Sequence, residues 1–247
     1  MNSAVNVSDL VVKFGEHTVL ENINFDLPEG SFTAIVGPNG SGKSTLIRTL
    51  LGLISIESGS YKIFNTVPGK VNPEWIGYVP QIKTLDKNFP GLAVELVVSG
   101  LRRSWPFYIN RDERKKADEA LAKVGALHLS GRSISRLSGG ELQRIYLARS
   151  IIHHPKIILL DEPMTGIDAA GEADSYRLLD DLNKNITLVM VTHDLETAFH
   201  HASHVMVMNR RIIGYGKPEE CLTGDCLRIA FGHVGHSHPK LKGAADG

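Results

Sequence analysis

The sequence predicts an α/β fold with a mainly parallel sheet, an antiparallel β subdomain at the N-terminus and a helical insert. Three features predict it: short β-branched runs at the start of the chain, apolar strands that alternate with helices in the second half, and a helical stretch between them. Such apolar strands are typical of a parallel sheet that is buried on both faces. At 247 residues the chain is long enough to bury a substantial core.

The predicted elements follow in a clear order. The runs VNVSDLVVKF, HTVLENINFDLP and SFTAIV read as strands broken by turn residues, and the last leads through a glycine-rich loop into the helical stretch KSTLIRTLLGL. Good helix formers then dominate, and we expect a helical subdomain at about residues 82–153. The predicted domain spans residues 1–232 and ends with strand KIILLD, a helix, strand ITLVMVTHD, a short helix and two closing strands, HVMVMN and RIIGYG. We expect a flexible tail at 233–247.

Composition and charge narrow the function classes. Lysine plus arginine (27) equals aspartate plus glutamate (27), and we expect no nucleic-acid partner because such partners usually need a basic face. The chain shows no basic head before an apolar run, and no uncharged stretch approaches the ~20 apolar residues of a membrane-spanning helix. We therefore expect a cytoplasmic protein that acts at a membrane only through a partner. Two cysteines, Cys221 and Cys226, are expected to be reduced and structurally incidental.

The glycine-rich loop matches the phosphate-binding pattern G-x-x-x-x-G-K-[ST] in full. Its glycines allow backbone N–H groups to point inward at the start of a helix, where they bind anions. Lys43 is expected to reach the β- and γ-phosphates of a nucleotide, and Ser44 to offer its hydroxyl to Mg²⁺. Because a strand precedes the loop and a helix follows it, we predict a P-loop NTPase core with the nucleotide-binding residues Gly37, Pro38, Asn39, Gly40, Ser41, Gly42, Lys43, Ser44 and Thr45.

Two carboxylates follow a buried strand later in the chain. Four apolar residues, 157–160, precede Asp161 and Glu162. Ligands of α/β sheets lie at the carboxyl ends of such strands, so Asp161 is a candidate partner of Mg²⁺. Glu162 can turn toward the γ-phosphate and activate a water molecule as a general base. A plain turn after a strand is the alternative, and the complete phosphate loop upstream favours the functional interpretation.

A second glycine-bearing helix start lies at LSGGELQR, residues 137–144. Ser138 and Glu141 have the spacing of a capping box, which would begin any helix well. A cap does not need Gly139 and Gly140, and each glycine early in a helix costs up to ~1 kcal/mol. The pair instead permits close approach of an anion to the helix N-terminus. This second cradle either competes for the same phosphate or binds the nucleotide of another molecule.

Four features follow one another along the chain: the phosphate loop, LSGGE, LLDEP and the histidine of VMVTHD, His193. In this order they resemble the ATP-binding cassette (ABC) ATPases, and the resemblance runs from about Val5 to Lys217. LSGGE is the signature of that family and is more specific than the other motifs. The resemblance implies ATP and Mg²⁺ as cofactors. It also implies a second ATPase subunit, arranged head to tail, so that each signature closes over the partner's nucleotide through the residues Ser138, Gly139, Gly140 and Glu141.

The resemblance implies four further roles. Phe14 would stack on adenine, and Gln81 would reach Mg²⁺ and the attacking water. His193 would contact the γ-phosphate as a switch histidine. Asp168 would cross the dimer interface, although MTGID departs from the commonest form SALD. The alternatives are a strand-end aromatic for Phe14, a polar loop residue for Gln81 and a structural histidine for His193.

A lone cassette without a membrane span resembles the ATPase subunit of an importer, whose permease would dock on the helical insert. The stretches IGYVPQ, NFPGLAVELVVSGLRR and DEPMTGID resemble the branch that moves zinc, manganese or iron. That branch implies an integral membrane permease, an indirect partner in a metal-binding extracytoplasmic protein, and a peripheral position on the inner face of the cell membrane. Import of siderophores or other small solutes is an alternative. A soluble nucleic-acid-associated ABC ATPase would need two cassettes or a basic surface, and a non-hydrolysing regulatory module would lack Glu162 or His193.

The tail reads FGHVGHSHPK and contains His233, His236 and His238. Histidines at such spacing on a flexible tail can bind Zn²⁺ or a similar ion. A solvated tail that is merely rich in histidine explains the same pattern. The sequence leaves both interpretations open.

Overall fold

The computed structural model describes residues 2–81, 90–101, 105 and 108–232. The first of its two sheets is antiparallel and has the strand order β2-β1-β4. Its strands are β1 (Ser3–Phe14), β2 (His17–Pro28) and β4 (Ser58–Ile63). The sheet confirms the antiparallel β subdomain that the β-branched runs at the N-terminus predict.

The second sheet has six strands in the order β5-β6-β7-β3-β8-β9. All neighbours run parallel except β8 and β9, which are antiparallel. Every residue of β3, β6 and β7 is buried, as the continuous apolar runs predict. The strands are β3 (Phe32–Val36), β5 (Ile76–Val79), β6 (Ile157–Asp161), β7 (Thr187–Val191), β8 (His204–Asn209) and β9 (Arg211–Gly216).

The described part of the chain contains eight α-helices, of which six lie between strands and two, α7 and α8, follow β9. Three of them, α2, α3 and α4, lie between β5 and β6 in chain order, where the helical insert is expected. The boundaries 82–153 stay a prediction, since residues 82–89 lie outside the described ranges. The helices are α1 (Lys43–Leu50), α2 (Ala93–Val98), α3 (Arg111–Lys123), α4 (Gly139–Ile151), α5 (Ala169–Asn183), α6 (Leu195–His201), α7 (Pro218–Cys221) and α8 (Gly224–Phe231).

The six-stranded sheet separates two apolar clusters. On one face, Ile157 and Leu159 of β6 pack with α1 and the antiparallel sheet. On the other face, Ile158 and Leu160 pack with residues of α2, α3, α4 and α5. Alternate strand residues point to opposite faces, so one strand contributes to both clusters. The sheet therefore fixes the positions of the loops at its carboxyl edge relative to both subdomains.

The described ranges contain no helix that is long and apolar enough to cross a membrane. They also contain no group of three or more histidine, cysteine, aspartate or glutamate side chains that could hold a metal ion. The predicted histidine tail, 233–247, lies outside the described residues.

Candidate active site

The phosphate loop, residues 37–42, lies between β3 and α1 and is held against both sheets. A Cβ at Gly37 would lie 2.1 Å from the carbonyl oxygen of Met208 in β8. Gly42 precedes α1 in the left-handed conformation, with φ +98°, and a Cβ there would lie 2.6 Å from the side chain of Leu20 in β2. Any larger residue at either position would strain the backbone or displace a neighbour. The close packing explains why the pattern requires glycine at both positions.

The ammonium group of Lys43 lies inside this loop. It donates hydrogen bonds to the carbonyl oxygens of Gly37, at 2.8 Å, and Pro38, at 2.9 Å. Lys43 is only 6% exposed, and burial lowers the pKa of its ammonium, while Glu162 and Asp161 act in the opposite direction. The hydroxyl of Ser41 is buried nearby in the same loop without a hydrogen-bond partner. A buried cation held by neutral carbonyls and an unused hydroxyl fit an anionic ligand such as a phosphate.

Lys43→Ala is expected to weaken ATP binding by about 10–100-fold, the range for losing hydrogen bonds from a charged donor. Turnover should fall to background because the γ-phosphate loses its cation. Isothermal titration calorimetry with ATP checks the binding, and phosphate release checks the turnover. Lys62→Ala, which removes an exposed lysine of β4, is the matched control and should change neither value. Unchanged ATP affinity in Lys43→Ala would contradict this assignment.

Asp161 and Ser44 meet at the carboxyl end of β6. The Ser44 hydroxyl donates a hydrogen bond of 2.7 Å to Asp161 Oδ1. Asp161 is 2% exposed, and burial raises the pKa of its carboxyl, partly offset by the Ser44 hydrogen bond and by Arg48. A hydroxyl and a carboxylate are the hard oxygen donors that Mg²⁺ prefers. Both groups therefore fit the predicted magnesium site.

The raised pKa of Asp161 has a consequence for stability. The Asp161 carboxyl keeps its proton to a higher pH in the folded chain than in the unfolded chain. The free energy of unfolding therefore falls as the pH rises from the unfolded-state pKa to the raised folded-state pKa. Asp161→Asn removes the buried charge and is expected to raise the Tm of the nucleotide-free protein at neutral pH by a few degrees, since ~1 kcal/mol shifts Tm by roughly 2–4 °C at this size. The gain should vanish below the usual aspartate pKa of about 3.9. Thermal melts of both proteins from about pH 3 to about pH 8, a range that includes the usual aspartate pKa, check this prediction. An equal or lower Tm of the variant at neutral pH would contradict it.

Glu162 follows directly and is held by two side chains. Gln81 Nε2 donates a hydrogen bond of 2.6 Å to Glu162 Oε2, and the Thr165 hydroxyl approaches the same oxygen at 3.4 Å. The backbone of Glu162 has a φ of +48°, an uncommon conformation for a residue with a side chain. Its N–H still bonds the carbonyl oxygen of Val191 in β7, at 3.1 Å. The strained turn therefore directs the carboxylate away from the strand and toward Gln81.

His193 follows β7 and lies beside this carboxylate. Glu162, Thr165 and His193 line one cavity of about 250 Å³. The next residue, Asp194, caps α6 by accepting hydrogen bonds from the N–H groups of Glu196, at 3.0 Å, and Thr197, at 3.2 Å. This cap fixes the loop that presents the exposed imidazole. The structure thus places the Gln81 amide on Glu162 and His193 in the same cavity as Glu162, and their catalytic roles stay predictions.

The signature stretch forms the capping box that its spacing predicts. Glu141 N–H donates to the Ser138 hydroxyl at 3.3 Å, and Ser138 N–H donates to Glu141 Oε2 at 2.8 Å. These hydrogen bonds lower the pKa of the Glu141 carboxyl. A Cβ at Gly139 would lie 2.9 Å from the carbonyl oxygen of Gly166, so the glycine also permits contact within the chain.

The signature lies beside Asp168, in a cavity separate from the phosphate loop. Ser138, Gly139, Gly140 and Asp168 line a cavity of about 280 Å³, and the described residues that line it include none of the phosphate loop. Asp168 caps α5, with Oδ1 accepting a hydrogen bond of 2.8 Å from the N–H of Gly171. Its predicted contact across a dimer interface stays a prediction.

Phe14 ends β1 and is 52% exposed. It pairs with His17 at the start of β2, the strand whose Leu20 packs against Gly42 of the phosphate loop. An exposed ring at the end of this hairpin is available for stacking, and its role toward adenine stays a prediction.

The sequence interpretation missed two groups near the site. The Thr165 hydroxyl on Glu162 was not anticipated, because a threonine three residues after the carboxylate has no pattern of its own. The buried amide of Gln143, which bonds to the segment after Glu162, was also missed. Its place in LSGGELQR was the available signal.

Comparisons with known proteins identify the family of the chain. The sequence profile of the family described as ABC transporter matches residues 20–165. The zinc uptake system ATP-binding protein ZurA of Listeria innocua is 35% identical over 227 residues, which cover 89% of this chain and 88% of that protein. The manganese transport system ATP-binding protein MntB of Bacillus subtilis is 37% identical over 232 residues, covering 92% of each.

A solved structure of an ATP-binding cassette gives the same result. It is the dimeric structure of a post-hydrolysis state bound to ADP and inorganic phosphate, and it superposes with a TM-score of 0.74 at 27% identity, covering 87% of this chain and 98% of that one. The family profile spans more than half of the chain, and the relatives match it over nearly their whole length. The chain therefore belongs to the ABC transporter family, as an ATP-hydrolysing cassette subunit.

Proposed function

We propose that the chain powers the uptake of a divalent metal ion, zinc, manganese or iron, through a partner permease. The observation that supports this substrate class is that both quoted relatives are ATP-binding proteins of metal transport systems, one for zinc and one for manganese. The proposal makes the chain a homodimer, peripheral on the inner face of the cell membrane and docked on integral membrane permease subunits. A metal-binding extracytoplasmic protein would deliver the ion.

Within this proposal the phosphate loop binds ATP by exchanging partners. Lys43 leaves the carbonyl oxygens of Gly37 and Pro38 for the β- and γ-phosphates, and the unused hydroxyl of Ser41 gains an acceptor. Ser44 and Asp161, now bonded to each other, would hold Mg²⁺, with Gln81 as a further oxygen donor. When bound, Mg²⁺ neutralises charge on the phosphate oxygens.

The hydrolytic step is assigned to Glu162. As a carboxylate it accepts the proton of the attacking water, and the Gln81 amide at 2.6 Å fixes the direction of the accepting oxygen. Gln81 belongs to the segment that leads into the helical insert, so permease docking there would alter the position of the base. His193, in the same cavity, is placed to hold the γ-phosphate.

One chain supplies only half of such a site. The signature residues Ser138, Gly139 and Gly140 lie in a cavity with Asp168, whose lining includes no phosphate-loop residue among those described. An anion at this helix start must therefore come from another molecule, and a second copy of the chain supplies it when the two are arranged head to tail. The dimeric cassette with bound ADP and phosphate supports the pairing of two copies.

Reconstitution with the permease in liposomes tests the substrate class. ATPase activity would be compared across Zn²⁺, Mn²⁺, Fe²⁺, Mg²⁺ and Ca²⁺ presented by the binding protein, with a ferric siderophore as the competing substrate. We expect stimulation by one of the three transition-series ions and its accumulation in the vesicles. Stimulation by the siderophore alone, or by none of these ions, would contradict metal uptake.

A further inference from the structure

Gln143 lies on α4, five residues after Ser138, and its side chain is fully buried. Both ends of the amide are used. Nε2 donates to the sulfur of Met164 at 2.9 Å, and Oε1 accepts a hydrogen bond of 2.8 Å from the hydroxyl of Ser175, which is 2% exposed. A buried side chain with both polar ends paired holds its neighbours in one geometry. Gln143 thus joins three segments that are separate in sequence.

The partners of Gln143 flank the segment that follows the catalytic base. Met164 lies between Glu162 and Asp168, and Ser175 lies on α5, the helix that Asp168 caps. The signature turn touches the same segment, since Gly139 approaches the carbonyl oxygen of Gly166. The partly exposed ion pair between Arg144 and Asp174 also joins α4 to α5, but at 3.9 Å it contributes little. The buried amide is the stronger link between the signature and this segment.

We propose that Gln143 is a positioning residue that makes the signature helix and the segment from Glu162 to Asp168 move as one body, and so couples the two ATP sites of the dimer. The inference rests on the proposed head-to-tail pair. There, Glu162 acts on the nucleotide of its own chain, whereas Ser138 and Gly139 contact the nucleotide of the partner. A displacement of the base in one site therefore moves the signature that closes the other site.

Gln143→Met tests the coupling with little effect on the fold. Methionine has a similar length and needs no hydrogen bond, and the Ser175 hydroxyl keeps its second partner, the carbonyl oxygen of Gly171 at 2.8 Å. We expect the isolated subunit to bind ATP as tightly as wild type. In the complex with its permease, kcat should fall about tenfold while KM changes little, as for an interaction made in the closed state. The Hill coefficient for ATP should fall from about 2 toward about 1.

Two variants make the result specific. Ser150→Ala removes another buried hydroxyl of α4, which donates within its own helix to the carbonyl oxygen of Leu147 at 2.8 Å. It should leave kcat and the Hill coefficient unchanged. Ser175→Ala removes the bond to Gln143 from the side of α5 and should lower the Hill coefficient as well, which keeps the test available if Gln143→Met fails to fold.

The outcomes separate the two proposals. A wild-type Hill coefficient near 1 would overturn the coupling, because it leaves no cooperativity for Gln143 to transmit. Failure of the wild-type chain to form an ATP-dependent dimer would overturn the paired site as well. Wild-type cooperativity that persists unchanged in Gln143→Met and Ser175→Ala would overturn the coupling alone. A fall in the Tm of these variants without a change in cooperativity would also overturn the coupling, because a purely structural role lowers stability and leaves cooperativity intact.

Discussion

Glu162→Gln is expected to bind ATP normally and to lower the turnover of the complex by about 10²–10⁴-fold, the range for removing a general base. Glutamine has the size of glutamate but cannot accept the proton of the attacking water. Its side-chain oxygen can still accept the hydrogen bond from Gln81 Nε2, so the geometry of the site is preserved. In the proposed pair, ATP binding closes the dimer and hydrolysis opens it, so the variant should accumulate as an ATP-bound dimer.

Size-exclusion chromatography with and without ATP measures the dimer, and phosphate release measures turnover. Glu196→Gln is the matched control, since it neutralises an exposed carboxylate three residues after His193. That control should behave as wild type. Normal turnover by Glu162→Gln would remove Glu162 as the base.

Ser138→Arg is expected to leave nucleotide binding by the isolated subunit within about twofold of wild type and to reduce hydrolysis to background, because in the proposed pair Ser138 contacts the partner's nucleotide. Arginine replaces the exposed hydroxyl that caps α4 and fills the space in which the partner's γ-phosphate would lie. The loss should appear as failure of the ATP-dependent dimer to form. Fluorescent ATP binding to the monomer, followed by chromatography with ATP, separates the two effects.

Ser135→Arg adds the same charge at an exposed serine three residues earlier and serves as the control. It should form the dimer and hydrolyse ATP as wild type does. If Ser138→Arg abolished ATP binding by isolated monomers, the signature would belong to the nucleotide of its own chain.

Local sterics explain why so much of the core was predictable from the sequence. Gly37 and Gly42 are required by contacts with β8 and β2, so the phosphate loop leaves a strict pattern in the sequence. Strands β3, β6 and β7 are buried on both faces, which produces continuous apolar runs. The same reasoning placed Asp161 and Glu162 at the carboxyl edge of the sheet.

Elements stabilised mainly by tertiary contacts were not predicted. Strand β4 exposes four of its six residues and β5 has only four residues, so neither shows a strong period. Their pairing with β1 and β6 decides their conformation. The short helices α7 and α8 were missed for the same reason.

Side-chain partners were predictable only where a motif fixes them. The capping box of Ser138 and Glu141 follows from spacing alone, whereas the bond between Gln81 and Glu162 joins residues 81 positions apart. Gln143 is harder still, because a buried amide on a helix looks like any polar residue in the sequence. Its two bonds depend on how α4 packs against α5 and against the segment that precedes α5.

Mixing two inactive variants tests the shared site most directly. Glu162→Gln and Ser138→Arg are each expected to be inactive when assembled alone with the permease. A head-to-tail pair with one chain of each variant contains two different sites. One site carries both defects, whereas the other combines the intact Glu162 of one chain with the intact Ser138 of the opposite chain. Equimolar mixing before assembly with the permease should then restore activity, up to roughly a quarter of wild type, since half of the pairs are mixed and one of their two sites is intact. If each chain completed its own site, every site would carry a defect, and the mixture would stay at background at all mixing ratios.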